Sequence, residues 1–332
     1  MIKFENRIWG TEMDRQIRLI LGTMTFGEQI FGDDVKDMIT CFLKQGYKEL
    51  DTAYVYNNGE CERLLGNALR QIDRGDYEIA SKANPRITGK LDKEAVLTQA
   101  NESLERLGIE YMDTLYLHFP DPQTPVESAL EACAQLYDEG KIKKLGLSNF
   151  PAWLVGEVYN ICDRHGWMLP KVYEGLYNPL GRFAERELNT ALDYYGMCFY
   201  AYNPLAGGML TNKYSSDDRI LKEGRFTNRP NYQQRYWKDS YFNASDHIKK
   251  ACSKYDISVI EATYRWLANH SMLNADRGDA IIVGASRLSQ LEQNIETLRC
   301  RELPGEIINA IEEAWEMCRV DAPEYFKYYV PK

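Results

Sequence analysis

The chain has 332 residues and a mass of 38.4 kDa; with 44% hydrophobic and 27% charged residues, it has the balance of a soluble globular protein, which excludes disorder and fibre. Its longest apolar runs, such as 19–22 and 281–285, fall far short of the roughly 20 residues a membrane span needs, so no bilayer crossing is expected. Forty basic against forty-nine acidic residues give a net charge of −9 and a pI near 5.2, the wrong sign for neutralising a phosphate polymer, and nucleic acid is not an expected partner.

Short β-rich runs alternate with amphipathic stretches along the chain. Strands are expected at 18–22, 48–52, 77–81, 112–118, 142–148, 171–175, 198–202 and 280–284. Helical patterns lie between them at 34–46, 61–71, 93–107, 126–139, 152–165, 185–195 and 245–269. The pattern at 93–107 shows Val96, Ala100, Leu104 and Leu107 on one face. Eight βα pairs over this length predict an α/β fold of the (β/α)8 TIM-barrel type. No linker or change of composition divides the chain, so residues 1–332 are read as a single domain. The exception to the rhythm is 203–244, polar and aromatic, with Tyr214, Tyr232, Tyr236, Trp237, Tyr241 and Phe242. It reads as a long loop after the seventh strand and a lid over a site.

The eight cysteines, at 41, 61, 133, 162, 198, 252, 300 and 318, form no Cys-x-x-Cys pair. The N-terminal MIKFENRIWG lacks the basic-then-apolar profile of a signal peptide, and the chain ends at VPK without a peroxisomal or retrieval signal. Reduced thiols in the cytoplasm are the expectation, and the sequons at Asn101, Asn243 and Asn269 are read as chance.

A barrel carries its site at the carboxyl ends of its strands, and here those ends are polar: Asp51, Lys82, His118, Ser148 with Asn149, Glu174, and Tyr202 with Asn203. Tyr56 follows Asp51 by five positions, in a loop. Singly, each residue has an ordinary structural role as a cap, a turn residue or a solvated charge; together, four groups able to share a proton converge on one mouth. Tyr137 and Lys141 have the Tyr-x-x-x-Lys spacing of short-chain dehydrogenases, but no G-x-G-x-x-G follows the first strand, and Gly140 reads as a helix stop.

The segments LDTAYVYNNGECERLLG, IASKANP, YLHFPD, LGLSNF, FYAYNPLAGGMLTNKY and GASRLSQLEQN resemble the aldo-keto reductase superfamily over about residues 18–328. The chain is most similar to the branch of aflatoxin-aldehyde and succinic-semialdehyde reductases. The resemblance implies a (β/α)8 barrel with a C-terminal extension over the site, carbonyl reduction with NADPH, no metal, and dimers as a common state of the relatives. Hydride arriving at a carbonyl carbon leaves negative charge on oxygen, which needs a proton donor and a polarising group. Tyr56 is the expected donor; a phenol with an ordinary pKa near 10 cycles near neutrality when a cation stabilises its anion. Lys82 supplies that cation, Asp51 pairs with Lys82, and His118 orients the substrate oxygen; the resemblance assigns the same four roles.

The resemblance also implies the cofactor contacts: Asp51 at the nicotinamide end, Ser148, Asn149 and Glu174 at its carboxamide, Tyr202 stacked on the ring, and a loop from Asn203 through Leu205, Gly207 and Gly208 to Lys213 beneath the pyrophosphate. The adenosine end falls on Ser286, Arg287, Gln290, Gln293 and Asn294, at a helix N-terminus that favours phosphate. NADPH rather than NADH follows from Arg287 and its neighbouring serines. Gln290 stands where many relatives have arginine, which leaves a 2′-phosphate to Arg287 and Arg225. The relatives' VYQGxYN is VYEGLYN here, and a carboxylate at Glu174 adds charge near a ring that is cationic when oxidised, so it is expected to favour the oxidised cofactor. Tyr232 and Arg235 match residues that meet the carboxylate of small acidic aldehydes, and Lys327 replaces an arginine, keeping the charge but losing the fork. The aromatics of 203–244 equally fit a flatter carbonyl or plain packing against the barrel. Two further readings are a dedicated biosynthetic enzyme with one substrate, and a cofactor-binding regulatory subunit like the potassium-channel β-subunits, although no extended N-terminal plug segment is seen.

Overall fold

Eight parallel strands hydrogen-bond in sequence order and close on themselves in a computed structural model that describes residues 16–211, 213–214, 225–298 and 302–330. They are β1 (Arg18–Gly22), β2 (Glu49–Asp51), β3 (Glu78–Ala83), β4 (Met112–Leu117), β5 (Ile142–Ser148), β6 (Pro170–Leu176), β7 (Cys198–Tyr202) and β8 (Ala280–Val283). β1 pairs with both β2 and β8 and so shuts the barrel. The predicted strands are all present, with ends moved by at most two residues, and the predicted (β/α)8 class holds.

Alternate residues of a strand point to opposite faces, and this period sorts the core into two. Ile20, Tyr116, Val172, Tyr200, Ala280 and Ile282 pack together inside the barrel. Outward residues such as Leu19, Leu50, Ile79, Leu115, Leu145 and Ile281 join the larger core beneath the helices. Within the barrel, Tyr116 takes its space from Gly146, where a Cβ would stand 2.4 Å from the ring. The amino-terminal end of the barrel is closed by Arg18, whose guanidinium meets Glu49 at 2.7 Å and donates to the Tyr200 hydroxyl at 2.9 Å. The opposite end is left to the polar strand termini.

Two parts of the sequence reading need correction. The pattern over 245–269 is two helices, Asp239–Ser253 and Val259–Asn269. The chain turns between them with Asp256 at φ 54°, and Ser258 caps the second by accepting from the Glu261 N–H at 3.1 Å. Ser258-x-x-Glu261 is a capping-box spacing that marks this start in the sequence. The stretch 203–244 is not one loop either. It contains the helices Arg225–Asn228 and Pro230–Tyr236 and the first turn of Asp239–Ser253; residues 212 and 215–224 lie outside the described part. Tyr236 and Tyr241 are fully buried, and Trp237 sits edge-on to Tyr214, Phe226 and Phe242 at 4.9–5.3 Å. Packing, not a lid, accounts for these four: Tyr236, Trp237, Tyr241 and Phe242. A helix at Gly305–Cys318, unforeseen in the sequence, lies along Asp239–Ser253. The helix end at Tyr137–Lys141 is as expected: the helix Val126–Asp138 stops, Gly140 has φ 71°, and Tyr137 is exposed.

The C-terminal segment returns over the carboxyl mouth. The Lys327 N–H donates to Asn149 O at 3.0 Å and the Tyr329 N–H to Pro120 O at 2.9 Å. The Tyr325 hydroxyl accepts from the Ala152 N–H at 3.0 Å and donates to Glu187 at 2.8 Å. These bonds tie it to the segments after β4, β5 and β6. Among the described residues no helix is long and apolar enough to cross a membrane.

Candidate active site

The inward parity that fills the barrel with Tyr116, Val172 and Tyr200 continues two residues further to His118, Glu174 and Tyr202, and likewise from Glu49 to Asp51 and from Ala80 to Lys82. These side chains meet beneath a cavity of about 1000 Å³ at the carboxyl end of the barrel. Lys82 is 2% exposed. Its Nζ contacts Asp51 Oδ2 and donates to Thr52 O at 3.0 Å. Burial works against the ammonium, but Asp51 and Glu174 outweigh it and hold the Lys82 pKa above its ordinary value. The Tyr56 ring centroid is 5.5 Å from Nζ. Burial, with Asp51 and Glu174 next, keeps the phenol well above its usual pKa. Two acids thus share that one ammonium, and a phenol whose pKa is held up in this way can donate a hydrogen bond into the cavity.

His118 is held neutral, its pKa well below the ordinary value through burial and then the charges of Lys82 and Arg86. Its tautomer follows from Asn84. The Asn84 Oδ1 accepts from the Arg86 N–H at 3.0 Å, capping the short helix Pro85–Thr88. The amide nitrogen must then face His118 Nδ1, 3.0 Å away. With Nδ1 accepting, the ring proton sits on Nε2. A neutral phenol and a neutral imidazole N–H, both lining one cavity, can hydrogen-bond a developing oxyanion over a buried ammonium.

From this floor the cavity extends between two walls. One is Asn203–Gly208 with Thr211 and Lys213; the other is Gly284–Arg287 with Gln290, Gln293 and Asn294. Tyr202 donates to Asn149 Oδ1 at 2.8 Å, and Asn149 donates through Nδ2 to His118 O at 2.9 Å. Tyr232 donates to Asn203 Oδ1 at 3.0 Å. Gly207 has φ 70°, and a Cβ there would lie 2.6 Å from the Tyr232 ring. Its glycine is thus required by the tyrosine above it as well as by the turn. Arg229 lines the cavity and pairs with Glu28, joining the loop after β1 to the helical segment after β7. Gln290 caps backward, its Oε1 accepting from the Ser286 N–H at 3.0 Å and hydroxyl at 2.8 Å. Arg287 stands at the start of the helix Leu288–Leu298 and lines the cavity.

The Aldo/keto reductase family profile matches residues 18–316. Aflatoxin B1 aldehyde reductase member 2 of Rattus norvegicus is 41% identical over 93% of this chain and 87% of its own length. Aldo-keto reductase family 7 member A3 of Homo sapiens is 40% identical over 93% and 96%, and aldo-keto reductase pigE of Monascus ruber 32% identical over 88% and 90%. The chain belongs to the aldo/keto reductase family. It is an oxidoreductase, and the resemblance read in its motifs holds.

In this reductase most sequence-predicted site residues line the cavity: Asp51, Tyr56, His118, Asn149, Glu174, Tyr202, Asn203, Leu205, Gly207, Lys213, Tyr232, Arg235, Ser286, Arg287, Gln290, Gln293 and Asn294. Three predicted residues differ. Lys82 lies just beneath the cavity floor. Ser148 is fully buried, and its hydroxyl accepts from Asn149 Nδ2 at 3.0 Å. Lys327 sits at the rim. Arg225 opens a short helix, and its side chain lies outside the described residues.

Among the residues of the mouth that escaped the sequence reading are Asn84 and Arg86. Arg86 lines the cavity and stacks over Phe119, 4.4 Å from the ring centroid. Its pKa is lowered by burial and then by Arg235; that of Lys327 is lowered by burial and then by Arg86 and Arg235. Three cations thus crowd one side of the mouth. The signal for this helix was in the sequence: asparagine followed by proline is an N-cap before an N1 proline.

Proposed function

We propose that this reductase converts aldehydes or ketones to alcohols with NADPH, by direct hydride transfer in a single (β/α)8 domain. When bound, the nicotinamide supplies the hydride. The residues fit such a group: the Glu174 carboxyl is a buried polar group lining the cavity floor with only a 3.3 Å contact to Lys82 at Oε2, and the walls 203–213 and 284–294 give a dinucleotide a path from there. Asn149, Tyr202 and Glu174 would meet the nicotinamide end, Gly207, Gly208 and Lys213 the phosphates, and Arg287 with Ser286 a 2′-phosphate at a helix start. Tyr56 donates the proton to the developing alkoxide, His118 Nε2–H holds the same oxygen, and Asp51 fixes Lys82 beneath. The observation that carries this reading is that the Tyr56–Lys82–Asp51–His118 group and the 284–294 wall open on one cavity.

Fluorescence titration tests the cofactor. NADPH is expected to bind tightly and NADH weakly, and Arg287→Ala should weaken NADPH about tenfold or more, as loss of a charge-assisted bond does, while leaving NADH unchanged. Equal affinity for the two in the unaltered enzyme would refute the preference.

The substrate reading is a carbonyl that carries an anion, a small acidic aldehyde being the simplest. Arg86, Arg235 and Lys327 raise the positive potential of the mouth, no carboxylate figures among the described groups that shift Arg86, Arg235 or Lys327, and two of the three have a guanidinium fork suited to a carboxylate. Arg86→Ala should raise KM for succinic semialdehyde about tenfold and leave KM for an uncharged aldehyde of similar size unaltered. A proportional change for both substrates in steady-state assays would exclude the charge argument.

A further inference from the structure

We infer that Glu174 is a proton-linked positioning residue that ties the choice between oxidised and reduced cofactor to pH: it keeps a proton when the site is empty or holds the uncharged reduced ring, and releases it to solvent when the cationic oxidised ring binds. This rests on the cofactor reading above. It goes beyond the sequence expectation, in which Glu174 is a fixed charge.

The geometry begins with an excess of carboxylate. Glu174 ends the inward face of β6, 3% exposed, in register with Ser148 on β5 and Tyr200 on β7. Lys82 makes its close contact with Asp51 and donates to Thr52 O. Glu174 Oε2 stands 3.3 Å from Nζ, an ion-pair distance but a looser contact than that of Asp51, and the Glu174 carboxyl also adjoins that of Asp51. One ammonium therefore serves two buried acids, and Asp51 has the better share. The groups that face Glu174 are Asp51 from β2, Tyr56 from the loop beyond it, Lys82 from β3, Tyr116 from β4 and Tyr202 from β7; β5 presents the non-titrating Ser148. Of these, Lys82 alone is cationic.

Physical chemistry gives the direction. A buried acid beside a second carboxylate resists ionisation. Burial first and Asp51 second push Glu174 up to about 8, against the pull of Lys82. Near neutral pH it is mostly protonated, and its O–H can donate where a carboxylate could not. A cationic ring in the same low-dielectric floor favours the ionised form, whereas an uncharged ring does not. The balance is simple: protonated Glu174 plus the oxidised cofactor gives the carboxylate, the bound cation and one proton in solvent, with no redox change. Glutamine at this position has no proton to release.

Calorimetric titration of the unaltered enzyme with NADP⁺ and with NADPH, at pH 7 in phosphate and in Tris, counts the protons released. The 2′-phosphate is common to both cofactors, so its own titration largely cancels in the difference. NADP⁺ is expected to release more than NADPH by on the order of half a proton. Preference for NADP⁺ should rise with pH, by at most about tenfold per unit, the limit for one proton. In Glu174→Gln both cofactors should bind, and the extra proton and the pH slope should vanish. Equal proton counts in the unaltered enzyme, or an extra proton that survives in Glu174→Gln, would overturn the inference. Binding of neither cofactor would overturn the cofactor reading and this inference with it.

Discussion

Replacing Tyr56 by phenylalanine is expected to lower kcat/KM for carbonyl reduction by about 10²–10⁴-fold, the usual worth of a positioned general acid, while NADPH affinity stays within about twofold. The reason lies in the surroundings of the phenol. Burial first, then Asp51 and Glu174, hold its pKa up, so in the proposed reaction it donates as the alkoxide forms. His118, neutral and with its proton on Nε2, can still hold the oxygen but cannot replace the lost acid without becoming an anion. Steady-state rates with one aldehyde, beside a cofactor titration of the same preparation, separate the two effects. Full activity in the variant would remove Tyr56 from the chemistry, and loss of cofactor binding would recast it as a structural residue.

Lys82→Met should have the largest effect on stability. Lys82 is fully buried between two acids, and removing one partner of a buried ion pair costs about 3–5 kcal/mol. Here Asp51 and Glu174 would face each other with no cation. Glu174, already pushed up by burial and then by Asp51, would lose the one cation that pulls it down, and an acid whose pKa is raised on folding takes stability away as pH climbs through that value. The loss should therefore be larger at pH 8 than at pH 5.5, read as the midpoint of urea unfolding relative to the unaltered enzyme. Adding Glu174→Gln to Lys82→Met should return part of the stability at pH 8. A loss of equal size at both pH values, with no recovery in the double variant, would show that the pair is not the source. Carbonyl reduction should fall with Lys82→Met even where the protein is folded.

The strand ends were the most readable part of the site, because a period of two fixes which residues face inward once a strand is placed. Asp51, Lys82, His118, Glu174 and Tyr202 all follow from that rule, and for all but Asp51 an apolar or aromatic residue two positions earlier marks the same face. What the rule could not supply is the charge state. Glu174 reads as a fixed charge until its place beside Lys82 and Asp51 is known, since burial and a shared counter-ion are properties of the closed barrel. Arg86 and Asn84 sit on a single turn of helix, too short for a periodic pattern, and their neighbours Phe119, His118 and Arg235 come from distant parts of the chain. The aromatics after β7 misled for a related reason. A buried aromatic and a lid aromatic look alike in sequence, and short helices such as Pro230–Tyr236 do not declare which face they turn inward. Ser148 shows the converse: its place at a strand end was right, yet its hydroxyl is taken by Asn149 and does not line the cavity.

The central claim, that this cavity passes hydride from NADPH to a carbonyl, is tested most directly by mixing the enzyme with NADPH deuterated at the transferable position and an acidic aldehyde, and following both NADPH absorbance and the isotope in the alcohol. The account predicts loss of NADPH matched one for one by deuterium on the former carbonyl carbon, with both abolished in Tyr56→Phe. Tight NADPH binding without consumption across aldehydes and ketones, or alcohol formed without the label, would contradict it.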